Sequence, residues 1–123
     1  MKTSNSKTNN LIHYVLDSYA ILAFLYDDVS KQQVDKYLRK AQTNEVKLYL
    51  NAISLGEIYY IIAQRYSVSQ TVEIPDIIRN WAINLVEVDT AFILAAAQWK
   101  AKYKISYADA FCIETMHISW AAP

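Results

Sequence analysis

Three acids, Asp17, Glu57 and Asp109, stand where solubility alone does not require a charge. Asp17 ends the β-branched and aromatic run Ile12-His13-Tyr14-Val15-Leu16 and precedes a helical pattern, while Glu57 and Asp109 each follow a serine by three residues, in Ser54-Leu55-Gly56-Glu57 and Ser106-Tyr107-Ala108-Asp109. Taken singly, each has a structural reading. An aspartate ahead of a helix accepts backbone N–H bonds as an N-cap, and S-x-x-E/D is the capping box, in which the acid reaches back to the N–H of the cap. Taken together they suggest chemistry. Helix N-termini favour the ionised carboxylate, and clustered carboxylates without His or Cys suit Mg²⁺ or Mn²⁺ and argue against Zn²⁺. Such an ion lowers the pKa of a bound water and neutralises a phosphodiester in the transition state. Capping and ligation are compatible in part.

For the acids to meet, the elements that carry them must converge. Residues 1–10 are polar and bury nothing, so they read as a flexible tail ahead of one domain over 11–123. Residues 12–16 suit a strand covered on both faces. Helical periodicity follows over 18–26, and again from Ser30 to the polar break at Thr43-Asn44. Residues 46–51 alternate as a second strand, with a helix over 54–66 that turns Ile58, Ile61 and Ile62 inward. A further helix is expected over 69–84, disturbed at Pro75, which fits better in a first turn than in mid-helix. Then come a short strand over 85–88, a helix over 90–103 and a last helix from Ser106 to about His117. The order β-αα-β-αα-β-αα implies a parallel sheet with helices on both faces, and in such sheets ligands bind beyond the carboxyl ends of the strands. Asp17 and Glu57 would then share one edge.

Composition excludes several other classes. With 123 residues, 54% apolar and 20% charged, the chain has the size and the apolar content for a single core. One glycine, Gly56, and two prolines, Pro75 and Pro123, rule out Gly-rich phosphate loops, the G-x-S-x-G elbow and turn-dense all-β folds. One cysteine, Cys112, and two histidines, His13 and His117, cannot build a Cys/His zinc site, and a lone cysteine fits a reducing cytoplasm. Twelve basic and twelve acidic side chains cancel, so an RNA partner would need a local patch. The polar start and the short apolar run over 91–97 predict a soluble, unexported chain with no membrane segment.

The three acidic segments also carry a family resemblance. Tyr14-Val15-Leu16-Asp17-Ser18 resembles the opening strand of PIN domains, Ile53-Ser54-Leu55-Gly56-Glu57-Ile58 their second acidic motif, and Ile105-Ser106-Tyr107-Ala108-Asp109-Ala110-Phe111 their third. The order agrees, and within the family the chain is most similar to the VapC-type toxins of bacterial toxin–antitoxin pairs. The resemblance implies a three-layer, Rossmann-like α/β fold with a central parallel sheet. It also implies a Mg²⁺- or Mn²⁺-dependent endoribonuclease that cuts structured RNA and is held inactive by a cognate antitoxin. Asp17, Glu57 and Asp109 would hold the metal, with Ser18 supporting the site by hydrogen bonding and Ser106 at the head of the third motif. Members usually carry a fourth acid in a Gly-Asp step after a final strand. Ala122-Pro123 looks like the approach to that strand, so the sequence reads as cut short, with the last strand missing.

Other residues have bland and functional readings side by side. Lys100, Lys102 and Lys104, with Arg65 and Arg79 elsewhere, could contact RNA phosphates or form a solvated helix face. Tyr59, Tyr60 and Tyr66 could stack on bases, cover the core or line an interface. His13 and His117 are expected in structural roles, Cys112 in the core, and Glu114 on the last helix without a part in the site. The tyrosine-rich helices around Glu57 suggest a homodimer. The competing function is a PIN-like binding module that keeps its antitoxin surface but has lost catalysis; a nuclease acting on DNA is a third.

Overall fold

The computed structural model describes residues 11–26 and 29–121; the tail expected over 1–10 lies outside the described residues. Three strands, β1 (Ile12–Val15), β2 (Val46–Asn51) and β3 (Ile83–Val86), form a parallel sheet in the order β1-β2-β3. Two helices, α1 (Ser18–Leu25) and α2 (Lys31–Gln42), link β1 to β2. Three link β2 to β3: α3 (Ala52–Arg65), the single turn α4 (Val68–Thr71) and α5 (Ile74–Asn80). The hairpin α6 (Thr90–Lys102) and α7 (Tyr107–Ala121) follows β3. The expected α/β architecture is therefore present, with a central parallel sheet between helical layers.

The central strand shows how the layers arise. Side chains alternate along a strand, and Val46, Leu48 and Leu50 join a buried cluster with Ile21 of α1, Val34 and Leu38 of α2, Ile58 and Ile62 of α3, Ile78 of α5 and Ile83 of β3. Tyr49 and Asn51 point the other way, where Asn51 meets Thr115 of α7 and Tyr49 stacks on His13. Both faces of β2 are thus covered except at Lys47, which is exposed. Phe92 and Ala96 of α6 and Ala110, Thr115 and Ser119 of α7 bury the second helical layer.

Several boundaries differ from those expected. β1 is an edge strand with Ile12 exposed, so it is not covered on both faces along its length. The helix expected over 69–84 is split: α4 stops at Thr71, α5 takes Pro75 into its first turn and ends at Asn80. Ala82 adopts φ 61°, the left-handed conformation that terminates a helix, and β3 begins directly after it, two residues earlier than expected. Asn84, read as helical, sits in β3, and its amide donates to the Leu48 carbonyl at 3.0 Å. Asn44 closes α2 with the same positive φ. In a chain with one glycine, these turns fall to Asn and Ala. α7 runs four residues past His117, to Ala121.

Candidate functional site

The three acids of the sequence meet at one cleft. It has a volume of about 200 Å³ and is lined by Asp17, Ser18, Ile53, Ser54, Glu57, Ala108, Asp109, Phe111 and Cys112. Asp17 arrives from the carboxyl end of β1, Glu57 from α3 just beyond β2, and Asp109 from the first turn of α7. All three carboxylates are solvent-exposed at the cleft.

Their local duties are not the same. Asp17 is the N-cap of α1, its Oδ1 accepting the Ala20 N–H at 2.9 Å. At Asp109 the serine half of the expected capping box is present: the Ser106 hydroxyl accepts the Asp109 N–H at 3.0 Å. Ser106 is thus a cap that positions Asp109. Glu57 corrects the sequence reading. The cap of α3 is Asn51, whose Oδ1 accepts the Ser54 N–H at 2.8 Å, and the helix starts at Ala52. Glu57 therefore lies beyond the first turn and caps nothing; its Oε1 accepts a hydrogen bond from Ser18 Oγ. A carboxylate with no capping task, lining a cleft beside two others, differs from what the capping-box pattern suggested.

Asn51 is the residue that sequence reasoning missed. It is fully buried, caps α3 with its oxygen and donates from Nδ2 to Thr115 Oγ1 at 3.1 Å. One side chain thereby ties the end of β2 to the helix carrying Glu57 and to the helix carrying Asp109. The signal was present as an Asn immediately before an apolar helical pattern.

Cys112 was expected in the core and instead lines the cleft, half-buried. Burial first, then the negative charges of Asp17 and Asp109, push its thiol pKa up. A raised pKa lowers the thiolate fraction and with it the reactivity of the free thiol. Alkylation by iodoacetamide at pH 8 is expected to be slower than for a cysteine in an unstructured peptide. Asp17→Asn should speed it by removing one of the repelling charges; equal rates in the two proteins would show that the acids do not act on the thiol.

Among the described residues no group of three His, Cys, Asp or Glu side chains is arranged to enclose a metal ion. Glu57 is turned onto Ser18. The donor chemistry still fits a hard divalent cation, because the three acids offer only carboxylate oxygens and all are exposed at the cleft.

The basic residues are dispersed. Lys100 Nζ donates to the Ile105 carbonyl at 2.9 Å and fastens the α6–α7 turn, while Arg65 lies over the Tyr26 ring at 4.7 Å and Arg79 contacts Asp76 at 3.4 Å. Lys102 and Lys104 remain exposed. His13 has the structural role expected, its Nδ1 lying 3.2 Å from Tyr49 Oη.

The model of the PIN domain matches residues 14–120 of the sequence, nearly the whole chain and all three acidic segments. The chain belongs to the PIN domain family. Among solved structures, this PIN domain is similar to VapC20 of Mycobacterium tuberculosis, a sarcin–ricin loop cleaving toxin, with a TM-score of 0.61 and 15% identity. The alignment covers 87% of this chain and 82% of that one. No curated protein matches the sequence. No described helix of the PIN domain is long and apolar enough to cross a membrane.

Proposed function

We propose that this PIN domain is a metal-dependent endoribonuclease, the toxin of a type II toxin–antitoxin pair, acting in the cytoplasm on structured RNA. The reading is carried by one observation: Asp17, Glu57 and Asp109 line a single cleft at the carboxyl end of the parallel sheet. These carboxylates would hold Mg²⁺ or Mn²⁺. When bound, the ion would supply an activated water and charge neutralisation at the phosphodiester. The residues of the chain do the rest. Helix caps at Asp17 and Ser106 fix two of the carboxylates by their own backbones, and Ser18 orients the third. Ile53 and Phe111 form the apolar wall of the cleft.

The toxin VapC20, which shares this fold, cleaves the sarcin–ricin loop. That supports a structured RNA as the substrate class here. The exposed Tyr60, Tyr66, Val68 and Val72 support a protein partner on the α3–α5 side, either the cognate antitoxin or a second copy in a homodimer. Lys102 and Lys104 would contribute weakly to RNA binding.

The test is cleavage of a stem–loop RNA by the purified chain in Mn²⁺ or Mg²⁺, with and without chelator and beside a matched DNA. Metal-dependent RNA cleavage is expected. Cleavage that persists in chelator overturns the reading, and antitoxin capture without cleavage under either metal would make the chain a binding module. Ser18→Ala is expected to lower the cleavage rate about tenfold, the cost of roughly one hydrogen bond to a charged group. An unchanged rate would remove Ser18 from the site.

A further inference from the structure

Glu114 takes no part in the acid cleft, yet it is the most deeply buried acid among the described residues, 6% exposed. Along α7, at about 100° per residue, Glu114 projects from the side nearly opposite Cys112, with His117 one turn further on. They line a second cleft with Ala95, Gln98, Trp99 and Lys102 of α6, about 180 Å³ in volume. Glu114 Oε1 accepts the Trp99 indole N–H at 3.0 Å and lies 3.7 Å from His117 Nδ1. Oε2 takes no hydrogen bond from any described residue. The Trp99 ring is braced parallel to Tyr103, at 6.3 Å and 21°, and edge-on to His117, at 6.2 Å and 69°.

Oε2 is not sealed from solvent, so a ligand in the cleft can replace water as its donor. The surroundings define what that donor must be. Lys102 at the cleft disfavours a cationic ligand. The Trp99 and His117 rings favour a flat, π-bearing one, and Gln98 and Lys102, one turn apart on α6, add donors beside it. We propose that this cleft binds an unpaired guanine base. Guanine presents N1–H and N2–H₂ side by side, the pair of donors that a carboxylate accepts. Adenine, cytosine and uracil each offer a single donor group on that edge. The exposed Lys102 would face the attached phosphate. As a subsite for substrate, the cleft rests on the ribonuclease reading above, but binding of the base does not.

The test is therefore a binding measurement that needs neither cleavage nor metal. The indole N–H resonance of Trp99, assigned with Trp99→Phe, is followed by NMR while guanosine, inosine, adenosine or cytidine 5′-monophosphate is added. A saturable shift is expected with guanosine monophosphate. Inosine monophosphate, which lacks the 2-amino group, should bind about tenfold more weakly, as should the other two. Glu114→Gln keeps the acceptor for Trp99 and the side-chain shape, and should abolish the preference for guanosine. The inosine comparison stands on the unaltered protein should that variant fail to fold. Equal shifts with every nucleotide, no shift with any, or a preference that survives Glu114→Gln would overturn the proposal and leave Glu114 as an anchor for Trp99. Guanosine-selective binding in a chain that cleaves no RNA would remove the nuclease reading and keep the subsite.

Discussion

Asp17→Asn is expected to abolish metal-dependent RNA cleavage, by at least about 100-fold, while leaving the melting temperature almost unchanged. The two halves of that result separate chemistry from folding. Asp17 caps α1 through Oδ1, and asparagine caps a helix about as well as aspartate. What the substitution removes is the charge that a divalent cation needs from its ligand; a loss of about 100-fold corresponds to roughly 3 kcal/mol of transition-state stabilisation. Asp17→Ala should lose the same activity and in addition about 1 kcal/mol of stability with the cap. Glu57→Gln should match Asp17→Asn, because Glu57 caps nothing. The two together should cost little more than either alone, as expected of residues that act as one unit. Initial rates on a stem–loop RNA in Mn²⁺, with thermal melts of each variant, decide it. A variant that cleaves at the parent rate would take its residue out of the metal site.

The largest effect on stability is expected at Asn51. Asn51→Ala removes the cap of α3, worth about 1 kcal/mol, and breaks the buried bond to Thr115 at 3.1 Å. With the space left behind, the total is about 3 kcal/mol, a fall in Tm of roughly 10 °C for a domain of this size. Thr115→Val removes only one partner and should cost about half as much. Because the two side chains share one bond, the double variant should be about 1 kcal/mol more stable than the sum of the single effects. Strict additivity in chemical denaturation would mean that the Asn51–Thr115 bond does not couple β2 to α7. A fall of less than about 1 kcal/mol in Asn51→Ala would deny Asn51 its place as the tie between the two acid-bearing helices.

The α/β alternation was legible because it rests on local patterning. Residues 46–51 alternate and are a strand, and residues 31–42 carry Val34, Leu38 and Ala41 on one buried face. The segment from Ser69 to Val88 was read least well. Ile74, Ile77, Ile78 and Trp81 continue a helical spacing past the true end of α5, and the break at Ala82 comes from a left-handed backbone at a residue type that seldom adopts it. Asn84 hid β3, since its polar side chain serves the neighbouring strand and breaks the apolar run. The start of α3 was misplaced for a related reason: Asn51 is both the last residue of a strand and the cap of a helix, with no loop to mark the change.

By itself the sequence determined the class of fold, the identity of the three acids and their family, because residue type, periodicity and order along the chain are local properties. It could not decide which acid caps a helix and which does not, because Asn51 does the capping that Ser54 and Glu57 were expected to do. Nor could it foresee that Cys112 faces the acids or that Glu114 is buried against Trp99. Those facts depend on how α7 is rotated between the sheet and α6. That rotation follows from side chains far apart in the chain packing at close range, and no short stretch of residues encodes it.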